Sequence, residues 1–146
     1  VYTNKKSDII LHQKELSSNV FILKQNLQNL NWSLSGESKK VGNYNCFKAT
    51  LVDTVLTVSG MTPKRITAWY APSLPYTFGP TEYGAGLPGL VLELVINQNI
   101  VFYADNIYLN KFGSDFKIES PKKGKIVSKE ELIEIEKKGF QNYIRN

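Results

Sequence analysis

Residues 84–96 read GAGLPGLVLELVI, and two readings of them lead to two different folds. Gly84, Gly86 and Gly89 satisfy G-x-G-x-x-G, the turn that cradles the pyrophosphate of a dinucleotide. That turn follows a strand directly and opens a helix, whose N-terminus receives the phosphate. Here a Pro-rich stretch precedes the glycines, and the run that follows is β-branched and alternating. Leu90, Leu92, Leu94 and Ile96 fall on one face of that run, and Val91, Glu93 and Val95 on the other. No helix is available to meet a phosphate. Asp105 lies at about the spacing of a ribose contact, but within another β-like region. The stretch is therefore read as a glycine turn feeding a central strand, and no cofactor is expected.

The rest of the chain agrees with a β-rich fold. Short apolar runs recur at Ile9–Leu11, Val20–Leu23, Trp32–Leu34, Tyr44–Val52, Val55–Val58, Arg65–Ala71, Val101–Tyr103, Ile107–Leu109 and, more weakly, Phe116–Ile118. Turn residues separate them: Ser17-Ser18-Asn19, Gly36 and Ser59-Gly60. Within 65–71, Ile66, Ala68 and Tyr70 share a face, and Thr67, Trp69 and Ala71 share the other. The expected fold is mainly β, a curved antiparallel sheet or half-open, bowl-like barrel, in a single domain over residues 1–146. One helix is expected near 129–143. Ser128 and Glu131 form a capping box at its start, and Leu132, Ile135, Phe140 and Tyr143 mark one face.

Composition narrows the function classes. The chain has 146 residues, 42% hydrophobic and 21% charged, with no run long enough to span a membrane as a helix. Its net charge is +5, yet only Arg65 and Arg145 among the 18 basic residues are arginine. Nucleic-acid readers lean on the planar guanidinium fork, so scattered lysines argue for a solvated surface and against a nucleic-acid partner. Cys46 is the only cysteine and His12 the only histidine, which excludes an internal disulfide and a zinc site of the Cys/His kind. The chain begins at Val1, and an N-terminal segment of the full-length protein is expected to be missing.

Residues 71–89, APSLPYTFGPTEYGAGLPG, interrupt the strand pattern with four prolines and four glycines. Loops of this length inside a compact domain are usually functional or packed as a flap. Trp69, Tyr70, Tyr76, Phe78 and Tyr83 are the ligand-binding candidates, aromatics on or beside this loop. Glu93 is the catalytic candidate, a carboxylate among apolar neighbours whose burial would raise its pKa. Asp53, Glu82 and Asp105 are its prospective partners for two-carboxylate chemistry. Cys46 lacks a neighbouring base other than His12 and reads as a packed strand residue.

Several segments together resemble one family. Gly86-Leu87-Pro88-Gly89-Leu90-Val91 is similar to the signature of the GLPGLI family of Bacteroidetes proteins, with Val91 in place of the last Ile. Trp32-Ser33-Leu34, the run Glu37 to Ala49 around Gly42, Tyr44, Cys46 and Lys48, Ala68-Trp69-Tyr70-Ala71-Pro72, and Gly79-Pro80 match further segments of that family in order. The resemblance spans roughly residues 31–96. It implies an exported, periplasmic or secreted protein of the cell envelope with no assigned activity. It also implies a bowl-shaped β domain like one at the N-terminus of a bacterial peptide:N-glycanase, where it is not the catalytic domain.

The reading that follows is an exported, non-catalytic binding or interaction module. Its groove is edged by the 71–89 loop and takes a lipidic, peptide or glycan ligand, or an envelope protein. A small hydrolase using Glu93 with a second carboxylate is the first alternative, and a structural or accessory domain of an envelope assembly the second.

Overall fold

The computed structural model describes residues 1–27, 30–109 and 118–144. Nine strands form two open sheets among these residues: β1 (Tyr2–Asn4), β2 (Ile9–Leu16), β3 (Asn19–Asn26), β4 (Ser33–Val41), β5 (Tyr44–Thr57), β6 (Gly60–Ala71), β7 (Leu90–Ile96), β8 (Ile100–Tyr103) and β9 (Lys125–Val127). One sheet runs β1-β2-β3-β9 and the other β4-β5-β6-β7-β8. A single α-helix among the described residues, α1 (Lys129–Ile144), closes the series, and one turn of 3-10 helix lies at Glu82–Gly84. The fold is mainly β, as expected, and neither sheet closes into a barrel. The sheets are not antiparallel throughout, because β9 pairs with β3 in parallel.

Tight turns join neighbouring strands. Ser17 and Ser18, between β2 and β3, both have positive φ, at 49° and 65°. Asn97 and Gln98, between β7 and β8, do the same at 50° and 64°. Two successive positive-φ residues carry a twist that matches the flanking strands. At α1 the capping box is reciprocal: the Ser128 N–H donates to Glu131 Oε2 at 2.8 Å, and the Glu131 N–H donates to Ser128 Oγ at 3.2 Å.

Several strand boundaries differ from the sequence reading. Gly36 does not end β4; an irregularity in pairing between Leu34 and Ser38 absorbs it. Residues 44–57 form one long strand rather than two. Ile107–Leu109 is not a strand. Phe116 and Lys117 lie outside the described residues, and Ile118 belongs to no strand.

The most consequential difference lies in β7. Trp69 pairs with Glu93 but Tyr70 pairs with Val91, so Leu92 is an extra residue and the alternation changes phase there. Leu90 and Leu92 pack with Cys46, Ala71 and Leu74 on one side of the sheet. Val91, Leu94 and Ile96 pack with Ala49, Leu51, Ile66, Ala68 and Tyr70 on the other. The expected single face of Leu90, Leu92, Leu94 and Ile96 is thus split between two cores.

The 72–89 loop supplies the contact between the sheets. Its Tyr83 and Leu87 join the core on the five-stranded sheet. Its Ala85 packs with Ile10 and Leu27 from the four-stranded sheet side. Leu23 and Val127 then hold Leu132 of α1.

Candidate functional site

The 72–89 loop is interior at one end and exposed at the other. Leu74, Tyr83, Ala85 and Leu87 are buried, whereas Tyr76 is 40% and Phe78 53% exposed. The glycines explain how a backbone fits between two sheets. A Cβ on Gly84 would lie 2.3 Å from the Gly79 carbonyl carbon, and one on Gly89 would lie 2.3 Å from the Ala71 oxygen. Gly86 has φ of +83°, a conformation that L side chains rarely adopt. The glycine spacing that imitates a dinucleotide turn therefore serves close packing and a turn into a strand.

Side chains pin the loop on both sides. The Trp32 indole N–H donates to the Ala85 carbonyl at 3.0 Å. The Tyr83 hydroxyl donates to Asp53 Oδ2 at 2.8 Å, and the Lys129 ammonium of α1 donates to Asp53 Oδ1. Lys64 Nζ sits 4.6 Å from the centre of the Tyr83 ring. Burial by itself would push the Asp53 carboxyl up. The hydrogen bonds from Lys129 and Tyr83 and the Lys129 charge outweigh it, so Asp53 is held below the usual carboxylate range. Burial and the Asp53 carboxylate push the Tyr83 phenol far above its ordinary value, so it stays protonated.

His12 on β2 lies 3.4 Å, Nδ1 to Oε2, from Glu82 of the loop. That nitrogen is buried without a hydrogen-bond partner among the described residues. Burial is the main cause holding the imidazole below its ordinary pKa; Glu82 opposes it, and Lys14 and Lys64 add to it.

Several concavities open around the loop. A groove of about 370 Å³ runs along the outer part of the loop, lined by Phe78, Thr77 and Thr81 together with Tyr2, Thr3, Lys5 and Ile118. Tyr76 contacts Phe78 ring to ring, centroids 6.0 Å apart and tilted by 51°. A second cleft of about 330 Å³ opens between the sheets beside α1, with Asp53, Tyr83 and Lys129 in its lining. Both volumes fall at the small end of the range for ligand sites.

The five aromatic candidates do not share one groove. Tyr70 and Tyr83 are buried in the core between sheet and loop. Trp69 faces the other side of β6, with Lys39 Nζ 4.4 Å from its ring centre. Tyr76 and Phe78 are the pair left at the surface.

Glu93 is partly buried, and both its carboxylate oxygens accept from Lys39 Nζ at 2.8 Å. Lys39 lies on β4 and reaches across two intervening strands to do so. Glu93 pairs with Trp69, and Trp69 with Lys48, whereas Asp53 shares the opposite face of β5 with Ala49 and Leu51. Glu93 and Asp53 therefore stand on opposite sides of the sheet and form no carboxylate pair across one cleft. Asp105 is exposed and accepts from the Asn106 amide at 2.7 Å. Among the described residues no cluster of three or more His, Cys, Asp or Glu side chains is placed to hold a metal ion, and no helix is long and apolar enough to cross a membrane.

Lys64 and the His12–Glu82 contact carry no local signal in the sequence, and Lys129 carries only a weak one. Lys64 and Lys129 are two of sixteen scattered lysines, and their partners lie far away along the chain. The capping box, by placing Lys129 at the first turn of a helix, was the one cue available.

These features define a protein of two open sheets bridged by a packed, hydrogen-bonded loop that leaves an aromatic pair exposed. Residues 57–93 match a family described as a protein of unknown function (Porph_ging). That range includes the Ala68–Ala71 and Gly86–Val91 segments but not the segment around Trp32. No curated protein matches the chain. Two crystal forms of PNGF-II resemble it at 22% identity, with TM-scores of 0.49 and 0.47, over 94% and 89% of this chain. The chain spans about a quarter of the PNGF-II chains it matches, 24% in each case.

Proposed function

We propose that this protein is an exported, non-catalytic binding module of the GLPGLI type, a single β-rich domain acting in the periplasm or outside the cell. Its ligand lies in the groove beside Phe78. The observation that carries this reading is the placement of Phe78: an aromatic ring 53% exposed, beside Tyr76 at 40%, on a loop that buries Leu74, Tyr83, Ala85 and Leu87 elsewhere along its length. The Val91 N–H donates to the Phe78 carbonyl at 3.1 Å, and a side chain on a backbone anchored in this way needs little further ordering to bind, which favours affinity. The groove sets two aromatic rings, Phe78 and Tyr2, and Ile118 among the threonine hydroxyls of Thr3, Thr77 and Thr81 and the ammonium of Lys5. That mixture suits a peptide or glycan, with an apolar face and hydrogen-bonding edges, better than a bare aliphatic tail.

The test is direct binding to a glycan array, a random peptide library and oleate, with the wild type beside Phe78→Ala and Tyr76→Ala. Binding in one class that falls at least tenfold in Phe78→Ala, while thermal stability stays unchanged, supports the reading. Absence of binding in all three classes, or binding that neither substitution alters, defeats it. Fractionation of cells carrying the full-length protein tests the export half independently, since a cytoplasmic location contradicts it whatever the ligand.

A further inference from the structure

β8 ends the five-stranded sheet, and no described strand pairs with its outer edge. Its residues Ile100, Val101, Phe102 and Tyr103 are 50%, 54%, 37% and 71% exposed, on both faces. Natural edges are guarded by charges, prolines or bulges, and β8 has none of these. The Ala104 N–H donates to the Leu92 carbonyl of β7 at 2.7 Å. The two-residue period then turns Ile100 and Phe102 toward β7 as well, and leaves the N–H and C=O of Val101 and Tyr103 facing outward.

We propose that this edge pairs with β8 of a second copy of the chain, antiparallel about a two-fold axis at Phe102. Outward-facing residues must meet outward-facing residues, so Val101 lies opposite Tyr103 of the second copy and exchanges hydrogen bonds with it. Phe102 lies opposite its own symmetry mate in the closer, non-hydrogen-bonded kind of pair, which favours aromatic contact. No charged residue falls within the paired stretch 100–103, and Asp105, the sole charged residue in 97–106, lies beyond the strand, so like charges do not face each other across the pair.

The exposed side chains amount to roughly 450 Å² per copy, an upper bound of roughly 900 Å² for the pair. That falls just under the ~1,000 Å² a specific stable interface needs, so the dimer is weak and concentration-dependent. Each copy carries +5, so added salt strengthens the association by screening the repulsion.

Sedimentation equilibrium of the 146-residue chain from micromolar to millimolar concentration tests this, alongside amide hydrogen exchange at both ends of the range. The expected result is a monomer–dimer equilibrium that tightens with salt, with slower exchange at Val101 and Tyr103 when concentrated. Val101→Lys is expected to weaken the dimer at least tenfold; Tyr103→Lys, at the most exposed position, serves if the first variant does not fold. A chain that stays monomeric at millimolar concentration overturns the proposal. So does a dimer that survives both substitutions, or one that protects amides elsewhere and not those of β8.

Discussion

Tyr83 and Asp53 lie thirty residues apart and meet at 2.8 Å, hydroxyl to carboxylate, where the loop crosses the five-stranded sheet. The same carboxylate receives Lys129 from α1 and the Thr54 backbone N–H at 2.8 Å. One side chain on β5 thus ties the loop and the C-terminal helix to the sheet. Its partners satisfy a carboxylate that burial would otherwise disfavour.

Tyr83→Phe removes the donor and keeps the ring in the core. A hydrogen bond to a charged group contributes about 1.5–3 kcal/mol, and partial exposure of Asp53 lowers this to about 1–2 kcal/mol. Urea denaturation is expected to show a lower midpoint with an unchanged slope. An unaltered midpoint would mean the carboxylate is satisfied equally well by Lys129 and water.

Stability is expected to fall as pH falls, in two stages. His12 is held below its ordinary value in the folded state, so the unfolded chain binds the proton first. Its contribution is complete above about pH 6.5 and declines below it. Asp53 is also lowered, so its contribution is present above about pH 4 and is lost as pH falls through its folded value. Urea midpoints at about pH 7.5, 5.5 and 3.5 resolve the two stages. His12→Gln should flatten the upper stage alone. Asp53→Asn should lower the plateau and flatten the lower stage. If His12→Gln declines between the first two pH values as steeply as the wild type, the histidine is not the cause.

Gly84→Ala is expected to be far worse than an ordinary loop substitution. Its Cβ would lie within 2.3–2.6 Å of three Gly79 backbone atoms, and backbone cannot swing aside as a flexible side chain can. Overpacking of this kind costs about 1–3 kcal/mol. Gly139→Ala is the control: a Cβ at Gly139 meets nothing within 4 Å, and replacing a helical glycine should stabilise by up to about 1 kcal/mol. Thermal melts of the two variants should shift in opposite directions.

The strands and the helix were legible because each rests on local rules. The alternation of 65–71 and the capping box at Ser128 need only a few neighbouring residues to be read. β1 and β9 escaped notice because three residues cannot display a period, and Lys125–Val127 is recruited by Phe21–Leu23 more than a hundred residues earlier. The phase change in β7 was invisible because LVLELVI alternates perfectly on paper; only its partner β6 reveals that Leu92 is extra. The site failed for the same reason. Trp69 and Tyr70 are adjacent in sequence and so face opposite sides of the sheet, whereas Asp53, Tyr83 and Lys129 owe their meeting to tertiary structure. The loop stands out in the sequence by its prolines and glycines, but which aromatics it would swallow depended on the two sheets it fills.

Cys46 provides the last prediction, since it reports on the packing of the sheet's second side. The thiol is fully buried among Ala71, Leu74, Leu90 and Leu92, and burial pushes its pKa up. Thiolate is the reactive form, so both access and ionisation are suppressed. In the folded protein Cys46 should resist a disulfide reagent such as dithionitrobenzoate at about pH 8, near the ordinary thiol value. In urea it should react fully within minutes. The rate at intermediate urea then measures opening of this side of the sheet, and Leu74→Ala, which trims a loop residue of the same buried cluster, should raise it. Rapid labelling of the folded wild type would show that Leu74 does not seal that side.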